Sequence, residues 1–315
     1  MAGASGNPKN PSWYSGGLSG ALAPGAGNIY YVNGGSDGPV VDTGSGLTAD
    51  DPKQLIQSAI DLCTANNNDY VIVLNYGANG RAAETWPIVV DKTLCHIIGV
   101  GSPSQKWPVV RPNAPAGADT ASPAFSVTAD RVEIAGFELG GGDTAGAIHP
   151  VDAGGVWGLC VHDCFFGVTG DSAGQDGIRV PAASAAPYLT VYGCRFGHYL
   201  TRDGVRFDAN ATRCMIGVPG QAPNIFHNVP GICINDALGI TEPGIFDNLM
   251  ALPSDTAGKA ITLAAGAVDG WVSGNSAQFG SFADMANNPY ADAAGADANH
   301  WWNNIKGNAA QTWPA

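Results

Sequence analysis

The sequence predicts an all-β fold, a solenoid of stacked parallel strands with one helix near its N-terminus. Three observations carry this expectation. The 315 residues include 44 Gly and 21 Pro, spread along the chain rather than clumped, which favours many turns over a few long helices. The apolar runs are short and each closes on Gly, Pro, Asn or Asp, as in YVIVL (70–74), PIVV (87–90), CHIIGV (95–100) and PVV (108–110); such runs read as strands. From about residue 124 two phrases recur with a shared period, the signature of a repeat architecture.

The first phrase reads GAIHP (146–150), GIRV (177–180), GVRF (204–207), GICI (231–234) and, more loosely, KAITL (259–263), with leading glycines 27 to 31 residues apart. The second reads VEIAGF (132–137), VHDCFF (161–166) and VYGCRF (191–196), with leading valines 29 and 30 apart. One such repeat holds two or three short strands and cannot bury its own apolar face. Stacking pairs each strand with its counterpart one turn away and makes a continuous core. Ile178, Val180, Val205, Phe207, Ile232 and Ile234 alternate with polar or small residues, as strands with one buried face do. Cys164 and Cys194 hold equivalent places, as do Phe166 and Phe196, so each pair is expected to stack inside. A doubly wound α/β fold fails because the repeats leave no room for a crossover helix.

Along the chain, residues 1–27 are a Gly/Ala-rich arm without periodicity, flexible by composition. The repetitive domain is placed at 28–283. It opens with the strand-and-turn NIYYVNGGSDG (28–38). The helix is placed at about 51–65: Asp51 is the candidate N-cap, Pro52 sits at the first helical position, and Leu55, Ile56, Ala59, Ile60 and Cys63 form one apolar face. Residues 284–315 form an aromatic C-terminal tail, NHWWNNIKGNAAQTWPA at its end.

Composition excludes several classes. The net charge is −13 with only 14 Lys and Arg, so a nucleic acid is not an expected partner. The seven Cys are irregularly spaced with no CxxC pair; they read as reduced, mostly buried thiols, and no metal site or cofactor is expected. The N-terminus lacks the basic and apolar regions of a secretory signal, and no apolar run approaches the length of a membrane span. The expectation is assembly in a cytoplasm without a signal peptide.

The opening IYYVNGGSDG … DDPKQLIQSAIDLC … YVIVLNYG … ETWPIVV … HIIGVG resembles the entry into a right-handed parallel β-helix of the pectin-lyase-like superfamily. There a first strand and an amphipathic helix cap the end of the solenoid. The resemblance covers roughly residues 28–280 and implies a right-handed parallel β-helix with an N-terminal capping α-helix. The superfamily holds lyases, hydrolases, adhesins and phage virion proteins, so the fold alone does not name an activity. The Gly/Ala-rich arm and the aromatic tail look most like the phage virion branch. The catalytic boxes of the family's enzymes do not carry over. VVRPN (109–113) has one Arg without a following Arg, and QDGIRV (175–180) lacks a paired Asp. DDP (50–52) falls on the helix, and the family's His boxes are missing.

Candidate site residues come from the repeated Asp-Gly-(Ile/Val)-Arg. Arg179 and Arg206 face outward and should lie one strand spacing of about 4.8 Å apart, with His149 in the same column. Such a column could hold an anionic sugar, or each Arg pairs with a nearby Asp. Asp176 and Asp203 also stack. Two carboxylates about 5 Å apart fit a retaining glycosidase; Asp before Gly is equally a turn signal, with the side chain accepting backbone N–H groups and Gly at positive φ. CVHDC (160–164) has atoms suited to a metal or a nucleophile, but Val161 and Cys164 follow the inward pattern and leave His162 outward and alone. Trp13, Trp301, Trp302 and Trp313, with Tyr14, lie outside the repeats and either close the apolar ends or contact a partner.

The expected function is a structural phage virion protein without catalysis, a capsid- or tail-attached homo-oligomer bound to other virion proteins. The alternative is a carbohydrate-active β-helix, a tailspike-type depolymerase or polysaccharide lyase, or an adhesin that binds a cell-surface glycan. No membrane partner is expected.

Overall fold

The computed structural model describes residues 27–34, 42–75, 84–100, 109–110, 122–140, 149–167, 175–182, 186–197, 200–252, 259–279, 289–295, 298–306 and 309–311. They form a parallel β-helix of three long sheets with ten, nine and eight strands. From Cys95–Gly99 to Tyr290–Asp292 each turn contributes one short strand to each sheet. One turn, for example, runs Cys160–His162 in the first sheet, Phe165–Phe166 in the second and Ile178–Val180 in the third. The next runs Thr190–Tyr192, Arg195–Phe196 and Val205–Phe207. Pairing between these turns is parallel and in register, while the first strand, Ile29–Asn33, shifts register between Val32 and Asn33 on Asp69–Asn75. The last strands, Tyr290–Asp292, Asn299–Trp302 and Asn304–Lys306, extend the same sheets past residue 283. Ala309–Gln311 then folds back antiparallel on Asn304–Lys306.

The core is a set of side-chain ladders along the axis. Phe166, Phe196 and Phe226 stack almost face to face, with centroids 4.7 and 4.5 Å apart. Parallel pairing forces this: equivalent residues one turn apart sit about 4.8 Å from each other. A polar ladder runs beside it at the corner before the second sheet, where Cys164, Cys194, Asn224, Asn248, Asn275 and Asn304 occupy equivalent places. The amides of Asn224, Asn248 and Asn275 each donate to a main-chain carbonyl and to the next asparagine, and Asn304, at the end of the ladder, donates to Val272 O. Cys164 and Cys194 keep the pattern, their thiols donating to the carbonyls of Ile134 and Val161.

A third regularity lies at the corner before the first sheet. Arg131, Tyr188, Arg213, Glu242 and Asp269 all have φ of +54 to +62°, a conformation that costs a side-chain-bearing residue about 1–2 kcal/mol. It also turns each N–H along the solenoid axis. These amides donate to carbonyls of the next turn, on Trp157, Thr212, Thr241, Val268 and Ala298, at 2.7–2.8 Å. Each of these five corner donors is thus paired with the next turn.

The registers differ from the spacing of the phrases. Val205 faces Ile234, where the phrase alignment pairs it with Ile232. Val161 faces Ile134 rather than Val132. Ile178 faces Val151, so the strand lies just after GAIHP, whose first three residues are outside the described set. Shifts of two or four residues leave the inward face unchanged, so Ile178, Val180, Val205, Phe207 and Ile234 are buried as the alternation predicts; Ile232 is only part-buried, and Cys233 beside it is buried instead.

The helix is shorter than expected, Ile56–Leu62, and Asp51 does not cap it. Residues 51–55 serve the first strand instead: Lys53 N–H donates to Tyr31 O, and Asn33 N–H to Lys53 O. The helix N-terminus is satisfied from a distance, with Glu84 accepting from the amides of Ile56 and Gln57 at 2.8 and 3.3 Å. Ile56, Ala59 and Ile60 are buried against the core. The arm at 1–26, with Trp13 and Tyr14, and the end at 312–315, with Trp313, lie outside the described residues.

Candidate functional site

Arg179 and Arg206 are direct register partners on the outer face of the third sheet, both part-exposed. Asp152 and Asn235 continue their column on either side. His149 does not share it. The place beside Arg179 belongs to Asp152, and His149 heads a second column with Asp176 and Asp203, because each lies two residues before its strand.

This second column is a turn-to-turn hydrogen-bond ladder. Asp176 Oδ1 accepts the Asp203 N–H at 3.2 Å, and Asp203 Oδ1 accepts the Ile232 N–H at 2.7 Å. Both carboxylates are inaccessible, at 0% and 1% exposure. Their remaining lone pairs are also engaged. Arg202 forks onto Asp176, its Nε 2.7 Å from Oδ1 and its Nη2 donating to Oδ2. Asp203 Oδ2 accepts from Arg206 Nη1 and from Asn235 Nδ2, each at 2.8 Å. His149 Nε2 faces Arg179 Nη1 at 3.0 Å, and Nδ1 lies 2.9 Å from Asp176 Oδ2 and 3.3 Å from the Asp176 main-chain nitrogen. Burial pushes the Asp176 pKa up, but His149 and Arg202 outweigh it and hold the carboxyl below its usual range. Asp208 bridges the two column arginines, accepting from the Nε of each at 2.9 and 2.6 Å.

The Asp side chains therefore accept backbone N–H groups, but from the following turn rather than their own. Gly177 and Gly204 do not take positive φ; they are required by space. A Cβ on Gly177 would lie 2.7 Å from the Phe196 ring, and one on Gly204 would lie 2.5 Å from Phe226 and 2.6 Å from the Cys233 carbonyl. The repeated Asp-Gly thus ties successive turns together and clears the path of the phenylalanine stack.

Asp152, Arg202, Asp208 and Asn235 complete the cluster and were not singled out from the sequence. Their partners lie across turns, so only the true register reveals them. Among the described residues, the buried side-chain atoms without a hydrogen-bond partner are Asp152 Oδ1 and Thr262 Oγ1. Burial raises the Asp152 pKa against the opposing pull of His149 and Arg179.

A second polar cluster lies on the outer face of the first sheet. His162 is neither exposed nor alone: it is 4% exposed, and its ring nitrogens meet Glu133 at 2.7 Å and Asp163 at 2.9 Å. Glu133 also takes His96 at 2.6 Å. Tyr70 stacks on His96 and Tyr192 on His162. Burial works against both charges, yet the two imidazoles hold Glu133 down to about 2, and Asp163 and Glu133 hold His162 up to about 9. No group of three or more His, Cys, Asp or Glu among the described residues could hold a metal ion.

Of the tryptophans expected to contact a partner, Trp301 is buried and donates to Asp292 at 2.9 Å. It sits on an inward strand position, where its indole fills the core. Trp302 is exposed and packs edge-on against the exposed Trp271, centroids 5.0 Å apart.

No family model and no curated protein matches the chain. The geometry therefore stands on its own. Among the described residues, no helix is long and apolar enough to cross a membrane.

Proposed function

We propose that this chain is a structural, non-catalytic β-helix protein of a bacteriophage virion, attached to capsid or tail and assembled as a homo-oligomer. One observation carries the non-catalytic part. The paired carboxylates that would serve a glycosidase, Asp176 and Asp203, are buried and saturated by His149, Arg202, Arg206, Asn235 and main-chain amides. A nucleophile or general acid needs a lone pair or proton within reach of substrate, and here those atoms hold one turn to the next. The virion placement rests on the likeness of the N-terminal sequence to the pectin-lyase-like superfamily and on a Gly/Ala-rich arm that looks like its phage branch; the aromatic C-terminal stretch does not add to it, since Tyr290–Lys306 continues the sheets. The test is mass spectrometry of purified phage particles from a host carrying the gene: stoichiometric recovery with the capsid or tail supports the reading, and its absence from particles overturns it.

A carbohydrate-active reading is favoured by one feature. Asp152 carries an unpartnered oxygen one strand from Arg179, and burial raises its pKa, the direction in which a general acid is tuned. Turnover of acidic or neutral polysaccharides that disappears in Asp152→Asn would establish it.

A further inference from the structure

Two buried thiols face each other where the helix meets the sheets. Cys63 is the residue at the C-terminal cap of the helix, in an extended conformation, and Cys95 opens the strand Cys95–Gly99 of the first sheet. Their sulfurs are 3.8 Å apart and both residues are buried. In the stacked pair at Cys164 and Cys194 both thiols donate to carbonyls, of Ile134 and Val161, so closing a bond between them would forfeit two hydrogen bonds to the main chain. Cys63 also donates to a carbonyl, that of Ala59 at 3.5 Å, but the Cys95 thiol donates to the Cys63 sulfur, so closure here forfeits one.

We propose that Cys63 and Cys95 are an oxidation site, a thiol pair that closes to a disulfide and staples the N-terminal helix to the first sheet. The chemistry is exchange with a small-molecule disulfide such as oxidised glutathione. The Cys63 thiolate attacks one sulfur of that disulfide and displaces one equivalent of thiol. The Cys95 thiolate then attacks the Cys63 sulfur of the mixed disulfide and displaces the second. The protein loses two protons and two electrons, and the small disulfide is reduced to two thiols.

The position gives the bond a purpose. A solenoid is stabilised turn by turn through nearest neighbours, so its ends fray first. The helix at this end has seven residues, no side-chain cap of its own, and depends on Glu84 for its first amides. A covalent link across 32 residues removes much of the freedom of the unfolded segment. The hydrogen bond from Cys95 and then burial raise the Cys63 pKa, so reaction is expected to be slow until the helix end opens and to speed up in alkali.

The test uses the full chain, purified with all seven thiols reduced, then incubated with oxidised glutathione at mildly alkaline pH. The expected result is a mass loss of about 2 Da without a retained adduct and a peptide linking Cys63 to Cys95. The thermal midpoint should rise by several degrees and return on reduction. The variant Cys95→Ala should lose the mass change and the rise. Seven free thiols after oxidation, a stable glutathione adduct without closure, or a bond mapped to Cys164 and Cys194 would each overturn the proposal.

Discussion

Replacing Asn248 by leucine should destabilise the protein by about 3 kcal/mol, and the figure follows from the ladder. Asn248 is fully buried. Its amide donates to Ile216 O at 2.9 Å and to Asn275 Oδ1 at 2.8 Å, and its Oδ1 accepts from Asn224 Nδ2 at 2.9 Å. Leucine has the same branched outline and is the larger side chain, so no cavity opens, but three hydrogen bonds go. At about 1 kcal/mol net for each neutral bond the loss is about 3 kcal/mol. The orphaned Ile216 carbonyl and Asn224 proton add about 1 kcal/mol, and the extra apolar burial of leucine returns about as much. The damage is limited because Asn224 still donates to Val191 O, and Asn275 Oδ1 still accepts the Asn248 main-chain N–H. Equilibrium urea denaturation followed by tryptophan fluorescence measures it, provided the slope is unchanged. Asn248→Cys should lose less, since Cys194 already holds an equivalent place with a thiol donor. A leucine variant within about 1 kcal/mol of wild type would refute the view that the ladder stabilises this corner.

Other consequences are equally specific. Gly204→Ala should cost about 1–3 kcal/mol, because its Cβ would press on Phe226 and the Cys233 carbonyl. Adding Phe226→Leu should recover part of that cost, whereas simple additivity of the two losses in urea melts would contradict the steric account. Stability should also plateau between about pH 4.5 and 6.5. The His162 contribution is present below its ordinary 6.5 and is lost as pH rises towards about 9. The Glu133 contribution is present above its ordinary 4.5 and is lost as pH falls towards about 2. Each limb amounts to at most about 3 kcal/mol. Thermal midpoints across pH should show both limbs, and Glu133→Gln should flatten both; an unchanged profile in the variant would sink the assignment.

The fold was legible because a solenoid writes its period into the chain. The inward alternation at Ile178, Val180, Val205 and Phe207, and the stacking of Phe166 on Phe196, were readable from equivalent places in two phrases. The exact register was not. A period of two is blind to slips of two, which is why Ile232 was aligned where Ile234 belongs. That blindness explains what was missed at the candidate site. Asp152 faces Arg179, and Asp208 reaches back 29 residues to it, contacts that exist only once the register is known. His162 looked solitary for the same reason, since Glu133 lies 29 residues away. The helix start misled because Asp51-Pro52 is a sound local signal that lost to pairing with the first strand. Corner residues such as Tyr188 and Glu242 carry positive φ without being glycine, so composition gave no hint of them.

The central claim is that Asp176 and Asp203 hold the solenoid together rather than perform chemistry. The most direct test measures unfolding free energy and polysaccharide turnover on the same preparations of wild type and Asp203→Asn. An amide at 203 would set a donor against Arg206 or Asn235, now both donating to Asp203 Oδ2. The account predicts a loss of about 3 kcal/mol and no turnover by either protein. Wild-type turnover abolished in the variant, with stability unchanged, would contradict it.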